Sequence, residues 1–177
     1  MESLKGPVRI VDYDPNWPDV FDVQAARIRT AMGERALRIE HVGSTAVPGL
    51  PAKPVIDIVL VVADSAVEQG YVPDLEAAGY RLRIREPAWF GHRMLKGTEP
   101  EVNLHVFPDG CPETDRMLMF RDWLRGHASD RDLYARTKLS LAQKVWADVQ
   151  DYADAKTGVV EAIMARARTS IAPDQTV

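Results

Sequence analysis

The 177 residues contain a single cysteine, Cys111, so no internal disulfide can form and a reducing compartment is the simpler setting. No apolar run approaches the ~18 residues of a membrane span. The opening Met1-Glu2-Ser3-Leu4-Lys5-Gly6-Pro7 lacks the apolar core of a signal peptide. Excess positive charge is missing too. The 22 Lys and Arg against 26 Asp and Glu give −4, which disfavours a dedicated DNA binder. There is no Cys/His metal-ligand spacing, no Gly-x-Gly-x-x-Gly, no Walker lysine loop and no nucleophile-elbow pattern around Ser44. Internal repeats and low-complexity linkers are also absent. What remains is an ordinary globular balance, 46% hydrophobic and 27% charged. The expectation is one soluble, cytoplasmic α/β (α+β) domain over residues 1–177, needing no disulfide or metal staple.

Along the chain, Val8-Arg9-Ile10-Val11 reads as a short strand closed by Asp14-Pro15-Asn16. Asn16 is placed to cap a helix from about 17 to 32, in which Trp17, Val20, Phe21, Ile28 and Met32 share one face. Ala36 to Val42 follows as a strand, and Gly43 to Pro51 is too rich in Gly and Pro to be anything but loop. Pro54 to Val62 is nearly unbroken apolar sequence, the pattern of a central strand buried on both faces. A helix is expected from about Ser65 to Ala78. Tyr80, Leu82 and Ile84 alternate with Arg81, Arg83 and Arg85, as in an edge strand with a solvated arginine face. Gly91 to Lys96 and Val102 to Phe107 read as paired strands around a turn at Gly97 to Pro100. The last third is helical: Pro112 to about Arg125, a capping-box-like start at Ser129 with Asp132, and about Gln150 to Arg168. The Trp and Met residues fall on helical stripes and are assigned to the core, and Cys111 to packing or an N-cap.

Asp57 interrupts the apolar run, and a carboxylate among isoleucines is costly unless paired, hydrogen-bonded or bound to a cation. Its bland role is to cap a neighbouring loop. Gly43-Ser44 follows a strand, where glycine lets the backbone approach a phosphate and a serine hydroxyl holds its oxygens; Thr45 follows in the same loop. A strand, then Gly-Ser, then an acidic strand is the order of nucleotidyltransferase folds, in which two carboxylates on that strand hold Mg²⁺. This chain departs from the order, because Val59 stands where the second carboxylate belongs. Asn103 and His105 project from one face of their strand, so His105 could join Asp57 at one metal or one water. His41, just before Gly43-Ser44, would complete a cluster. Basic candidates for a phosphate are Lys53, Arg93, Lys96 and Lys156, the last lying on a helical stripe with Tyr152 and Val160. For each, a structural hydrogen bond or a snorkelling surface chain is the competing account.

The runs Val11-Asp12-Tyr13-Asp14-Pro15-Asn16-Trp17 and Glu40-His41-Val42-Gly43-Ser44-Thr45-Ala46-Val47-Pro48-Gly49-Leu50-Pro51-Ala52-Lys53-Pro54-Val55-Ile56-Asp57-Ile58 resemble the GrpB family. So do Asn103-Leu104-His105-Val106, Phe120-Arg121-Asp122-Trp123-Leu124-Arg125 and Tyr152-Ala153-Asp154-Ala155-Lys156-Thr157, in the same order, over roughly residues 7 to 168. The resemblance implies a nucleotidyltransferase-like mixed sheet flanked by helices with a helical C-terminal third. It implies shared positions at His41, Gly43, Ser44, Lys53, Asp57, His105 and Lys156, and a domain also found fused to dephospho-CoA kinase. The expected function is a nucleotide-dependent transferase acting on a small acceptor with Mg²⁺ or Mn²⁺ at Asp57 and His105. The alternatives are a catalytically inactive module binding a nucleotide, CoA or phosphate, and a protein scaffold. The expected partner is a small phosphate-containing ligand, neither DNA nor a membrane.

Overall fold

The structure, a computed structural model, describes residues 8–144 and 149–171. The opening heptapeptide judged above for a leader, and Trp146, lie outside the described residues. The apolar run becomes β2, Ile56–Val62, and the sheet is built around it. The strand β1, Arg38–Val42, pairs antiparallel with it on one side; β5, Glu101–Pro108, pairs parallel on the other. Beyond β5 come β4, His92–Thr98, and the edge strand β3, Arg81–Glu86, both antiparallel, giving the order β1-β2-β5-β4-β3. A parallel neighbour cannot be reached by a hairpin. The chain therefore leaves β2, forms a helix and the β3–β4 pair, and returns as β5.

Alternation along β2 and β5 sorts their side chains onto two faces. One face carries Ile56, Ile58, Leu60, Leu104 and Val106, buried against Ile28 and Met32 of α1, Trp17–Met32, and Leu75 of α2, Val72–Ala77. On the other, Val42, Val59, Val61 and Phe107 meet Cys111 and Leu118 at α3, Pro112–Gly126. The helices α4, Ala128–Ala142, and α5, Val149–Ile171, close on α3 through Leu124, Tyr134 and Ile163, which also pack on Val47 and Leu50 of the loop after β1. Asp130 locks the three helices, accepting from Trp123 Nε1 at 2.7 Å and pairing with Arg166. Among the described residues no helix is long and apolar enough to cross a membrane.

Several local expectations are corrected. Val8 to Val11 is not a strand: only Val11 bridges, to Ala52, because Pro51 and Pro54 flank that partner without the N–H needed to extend a ladder. The helix expected from Ser65 shrinks to a 3₁₀ turn at Glu68–Gly70 and the short α2, because Pro73 is tolerated only in a helix's first turn. Asn16 holds the N-cap position of α1 but its side chain does not cap; its Nδ2 donates to Asp14 Oδ1 at 3.0 Å. The helix expected to start at Ser129 begins one residue earlier with His127 at its cap, so Ser129 and Asp132 lie inside α4. Trp89 is not on a helical stripe; it sits in the β3–β4 turn, 42% exposed. Leu104, fully buried on the central parallel strand, reports on the whole sheet. Leu104→Ala is expected to cost about 2–5 kcal/mol in urea unfolding, with the slope of the transition unchanged.

Candidate functional site

Register brings the polar residues of the α3 face into rows. Asp57 lies opposite Asn103, which lies opposite Lys96; one step along, Val59, His105 and Met94 form the next row. His105 Nε2 stands 3.2 Å from Asp57 Oδ1. Asp57 itself is not engulfed, because its isoleucine neighbours point to the opposite face and leave its side chain 30% exposed.

Gly43 leaves β1 at φ +73°, and a Cβ there would lie 2.8 Å from Asp57 Oδ2. Glycine is therefore demanded twice, by backbone conformation and by the carboxylate beside it. The following turn, Ser44–Ala46, is clamped from α3: Arg121 donates to the His41 carbonyl at 3.0 Å and Arg125 to the Ala46 carbonyl at 2.9 Å. Ser44 is thus held on a braced backbone beside Asp57.

Three sequence candidates lie elsewhere. His41 is in register with Ile58, so alternation turns it to the α1 face; its ring stacks on Phe21 with centroids 4.8 Å apart. Burial and the nearby Arg125 hold it down at about 4, so it is neutral, and it hydrogen-bonds Thr45 Oγ1 at 2.9 Å. Thr45 is buried with it and braces the loop from within. Arg93 is in register with Val106, again on the far face, where it is buried and paired with Glu68 at 3.1 Å. The expected convergence of His41 with Asp57 and His105 does not occur, since one residue's shift along a strand reverses the face.

In their place stands a lysine that sequence reasoning missed. Lys138 of α4 is 2% exposed and donates to Ser44 Oγ at 2.9 Å and to the Pro51 carbonyl. Its Nζ lies 4.9 Å from the ring centre of Tyr134, which also hydrogen-bonds Ser44 and is pushed up to about 12 by burial. One turn of the same chemistry recurs on α5: Lys156 and Lys53 both reach the Tyr152 ring, at 4.5 and 5.1 Å. The shared signal was in the sequence, since Tyr134–Lys138 and Tyr152–Lys156 each space an aromatic and a lysine by one helical turn.

The three ammonium groups repel one another. Burial, then Lys156 and Lys53, bring Lys138 down to about 7; burial and Lys53 bring Lys156 to about 8, against the pull of Asp57. Lys53 is lowered by burial and by Lys96, with Asp57 opposing. Asp57 thus faces several cations. Among the described residues no three His, Cys, Asp or Glu side chains gather to hold a metal ion. The donors do not fit a resident divalent ion. Among the described residues the carboxylate at this site is Asp57, with its Oδ1 on His105, and the Val59 position is fully buried in the apolar layer under α3.

The family model described as GrpB protein matches residues 7–166. The chain belongs to the GrpB family. A relative from Halalkalibacterium halodurans, a UPF0157 protein, is 60% identical over 163 residues, 92% of this chain and 84% of that one. A dephospho-CoA kinase of Mycolicibacterium paratuberculosis is 35% identical over 181 residues, covering 88% of this chain and 44% of the longer protein. The crystal structure of GrpB from Enterococcus faecalis superposes with TM-score 0.77 at 28% identity, over 92% of this chain and 98% of that one. The Cid1 poly(U) polymerase, in a structure with MgGTP bound, gives TM-score 0.51 at 12% identity over 75% of this chain and 43% of its own. The GrpB fold is therefore nucleotidyltransferase-like.

Two outcomes test this construction. Gly43→Ala is expected to cost about 1–3 kcal/mol from its backbone alone, because φ +73° with ψ −172° is a conformation that essentially only glycine adopts. It should cost measurably less in an Asp57→Ala background, where the carboxylate no longer meets the new methyl; equal costs in chemical unfolding would contradict the contact. For the lysines, folded proton affinities lie below unfolded ones, so the unfolded chain binds more protons across the interval between them. Stability without ligand should therefore rise from about pH 7 to 10, and Lys138→Met should flatten that rise.

Proposed function

We propose that the protein binds a nucleotide or a closely related phosphate-bearing small molecule at the Ser44–Asp57 site and transfers a nucleotidyl group from it to a small acceptor. The observation that carries the reading is the gathering of Lys53, Lys138 and Lys156 beside Ser44, with Asp57 as the carboxylate among them. Holding ammonium groups this close costs free energy in the empty site, and a polyanion relieves it. Ser44 supplies a hydroxyl, Gly43 a close backbone approach, and the lysines the neutralising charge that the expected metal ion would otherwise bring. Asn103 and Lys96, in the row with Asp57, are placed to meet the acceptor or the rest of the ligand. The nucleotidyltransferase-like fold and the likeness to part of a dephospho-CoA kinase support phosphate chemistry. The buried, single Cys111 fits a reducing, cytoplasmic setting. A second reading, binding without turnover, is favoured by one fact: the position of the missing carboxylate is filled by buried Val59.

Calorimetry with ATP, UTP, CoA and inorganic phosphate, each with and without Mg²⁺, tests the reading. A triphosphate is expected to bind, and Lys156→Met to weaken it at least tenfold, about 1.4 kcal/mol. Binding favours the charged lysines, so affinity should fall as pH rises from 7.5 to 9.5 through the range where Lys156, at about 8, loses its proton. If no phosphate compound binds, or Lys156→Met binds as wild type does, the reading fails. Binding that needs Mg²⁺ and vanishes in Asp57→Asn would instead restore the metal-dependent transferase. Release of pyrophosphate in the presence of small hydroxylated acceptors separates transfer from binding alone.

A further inference from the structure

Asp57 is the first member of a hydrogen-bonded chain that crosses the sheet. Its Oδ1 lies 3.2 Å from His105 Nε2, His105 Nδ1 lies 3.0 Å from His92 Nε2, and His92 Nδ1 lies 2.8 Å from Glu86 Oε1. Each link comes from a different strand. β2 supplies Asp57, β5 His105 and β4 His92, while Glu86 sits opposite His92 on β3. The two imidazoles are within 25° of coplanar, and Phe107 and Trp89 pack on His92 at 4.9 and 5.1 Å. Only His92 is nearly dry, at 5% exposed; His105 is 19% exposed, and the end members Glu86 and Asp57 are 46% and 30% exposed.

Three junctions need three protons. Two neutral imidazoles bring one N–H each and two carboxylates bring none, so the chain closes only when it holds one proton more. That proton has four places to rest: on Asp57, on His105, on His92 or on Glu86. Neighbouring placements differ by one proton crossing one bridge, and no heavy atom has to move. In each the net charge is −1.

We propose that Asp57, His105, His92 and Glu86 form a proton relay, accepting a proton from a ligand hydroxyl at Asp57 and releasing one to water at Glu86. The O–H bond of the ligand breaks and a bond forms to Asp57 Oδ2, the oxygen that faces Gly43 rather than His105. In compensation the Asp57 Oδ1 proton moves to His105 Nε2, the His105 Nδ1 proton to His92 Nε2, and the His92 Nδ1 proton to Glu86 Oε1 and on to water, leaving the chain at −1. The identity of the proton donor rests on the phosphate-ligand reading above; the relay itself is a property of the empty protein.

The surroundings suit that task. Charged groups beside the imidazoles are Asp57 from β2 and Glu86 from β3, with Arg93 acting on His92 through the sheet from the opposite face of β4, while Lys53 and Lys96 face the Asp57 end. Burial, then the neighbouring His105, lowers the proton affinity of His92 and Glu86 partly restores it, so His92 gives up its extra proton readily.

The test uses ligand-free, isotopically labelled protein, so its failure is separate from any failure to bind phosphate. The imidazole nitrogens of His92 and His105 and the carboxyl carbon of Asp57 are followed by NMR through a pH titration. Glu86→Gln alters a half-exposed side chain that touches neither His105 nor Asp57. It should lower the His105 midpoint by about one pH unit, tenfold in proton affinity, and raise that of Asp57. With the wire cut in His92→Phe, Glu86→Gln should have no further effect on either. Should that variant not fold, the single Glu86→Gln titration still decides. Unchanged His105 and Asp57 titrations in Glu86→Gln would overturn the relay.

Discussion

Parallel pairing of β2 with β5 is the constraint on which the other features depend. It sets Asp57 beside Asn103 and Val59 beside His105, and the antiparallel β4 then adds Lys96 and Met94 to the same rows. Because a parallel pair needs a long crossover, the intervening chain supplies α2 and the β3–β4 edge, and with them His92 and Glu86. A slip of one residue between β2 and β5 would turn Asn103 and His105 to the α1 core and bring Leu104 out under α3. The apolar alternation of Val102, Leu104 and Val106 is what forbids that slip.

The site itself is a balance struck in the other direction, where burial stores unfavourable charge. Lys138 is fully enclosed by α4, Ser44 and the Pro51 carbonyl, and its neighbours are further lysines. Aromatic faces at Tyr134 and Tyr152 and one carboxylate at Asp57 make the gathering tolerable. Packing of Leu124, Tyr134 and Ile163 with Val47 and Leu50 holds it in place, so the helical third is part of the site rather than an appendage. The arginines of α3 serve the same end, fixing the backbone on which Ser44 stands.

Much of this was legible in the order of residues. The interrupted apolar run located β2 and singled out Asp57; the Gly43-Ser44 step located the loop that does lie against it. The Asn103–His105 alternation correctly placed both on one face, and His105 does reach Asp57. His41 and Arg93 misled because nearness in sequence to Gly43 or to a turn says nothing of which face a side chain takes. Lys138 escaped notice because a lysine on a helix is ordinarily solvated, and its burial is imposed by elements far away in sequence.

By itself, then, the sequence determined what local physics can determine. It set the mixed sheet with a helical last third, through hydrophobic periods of two and of about 3.6. It also set the lone carboxylate in the central strand. Tertiary structure alone decided which charges meet. Lys53, Lys138 and Lys156 come from a loop and two helices, and Asp57, His105, His92 and Glu86 from four different strands. Such groups are joined only by strand register and helix docking, which depend on the burial of apolar surface over the whole chain, not on any local run of residues.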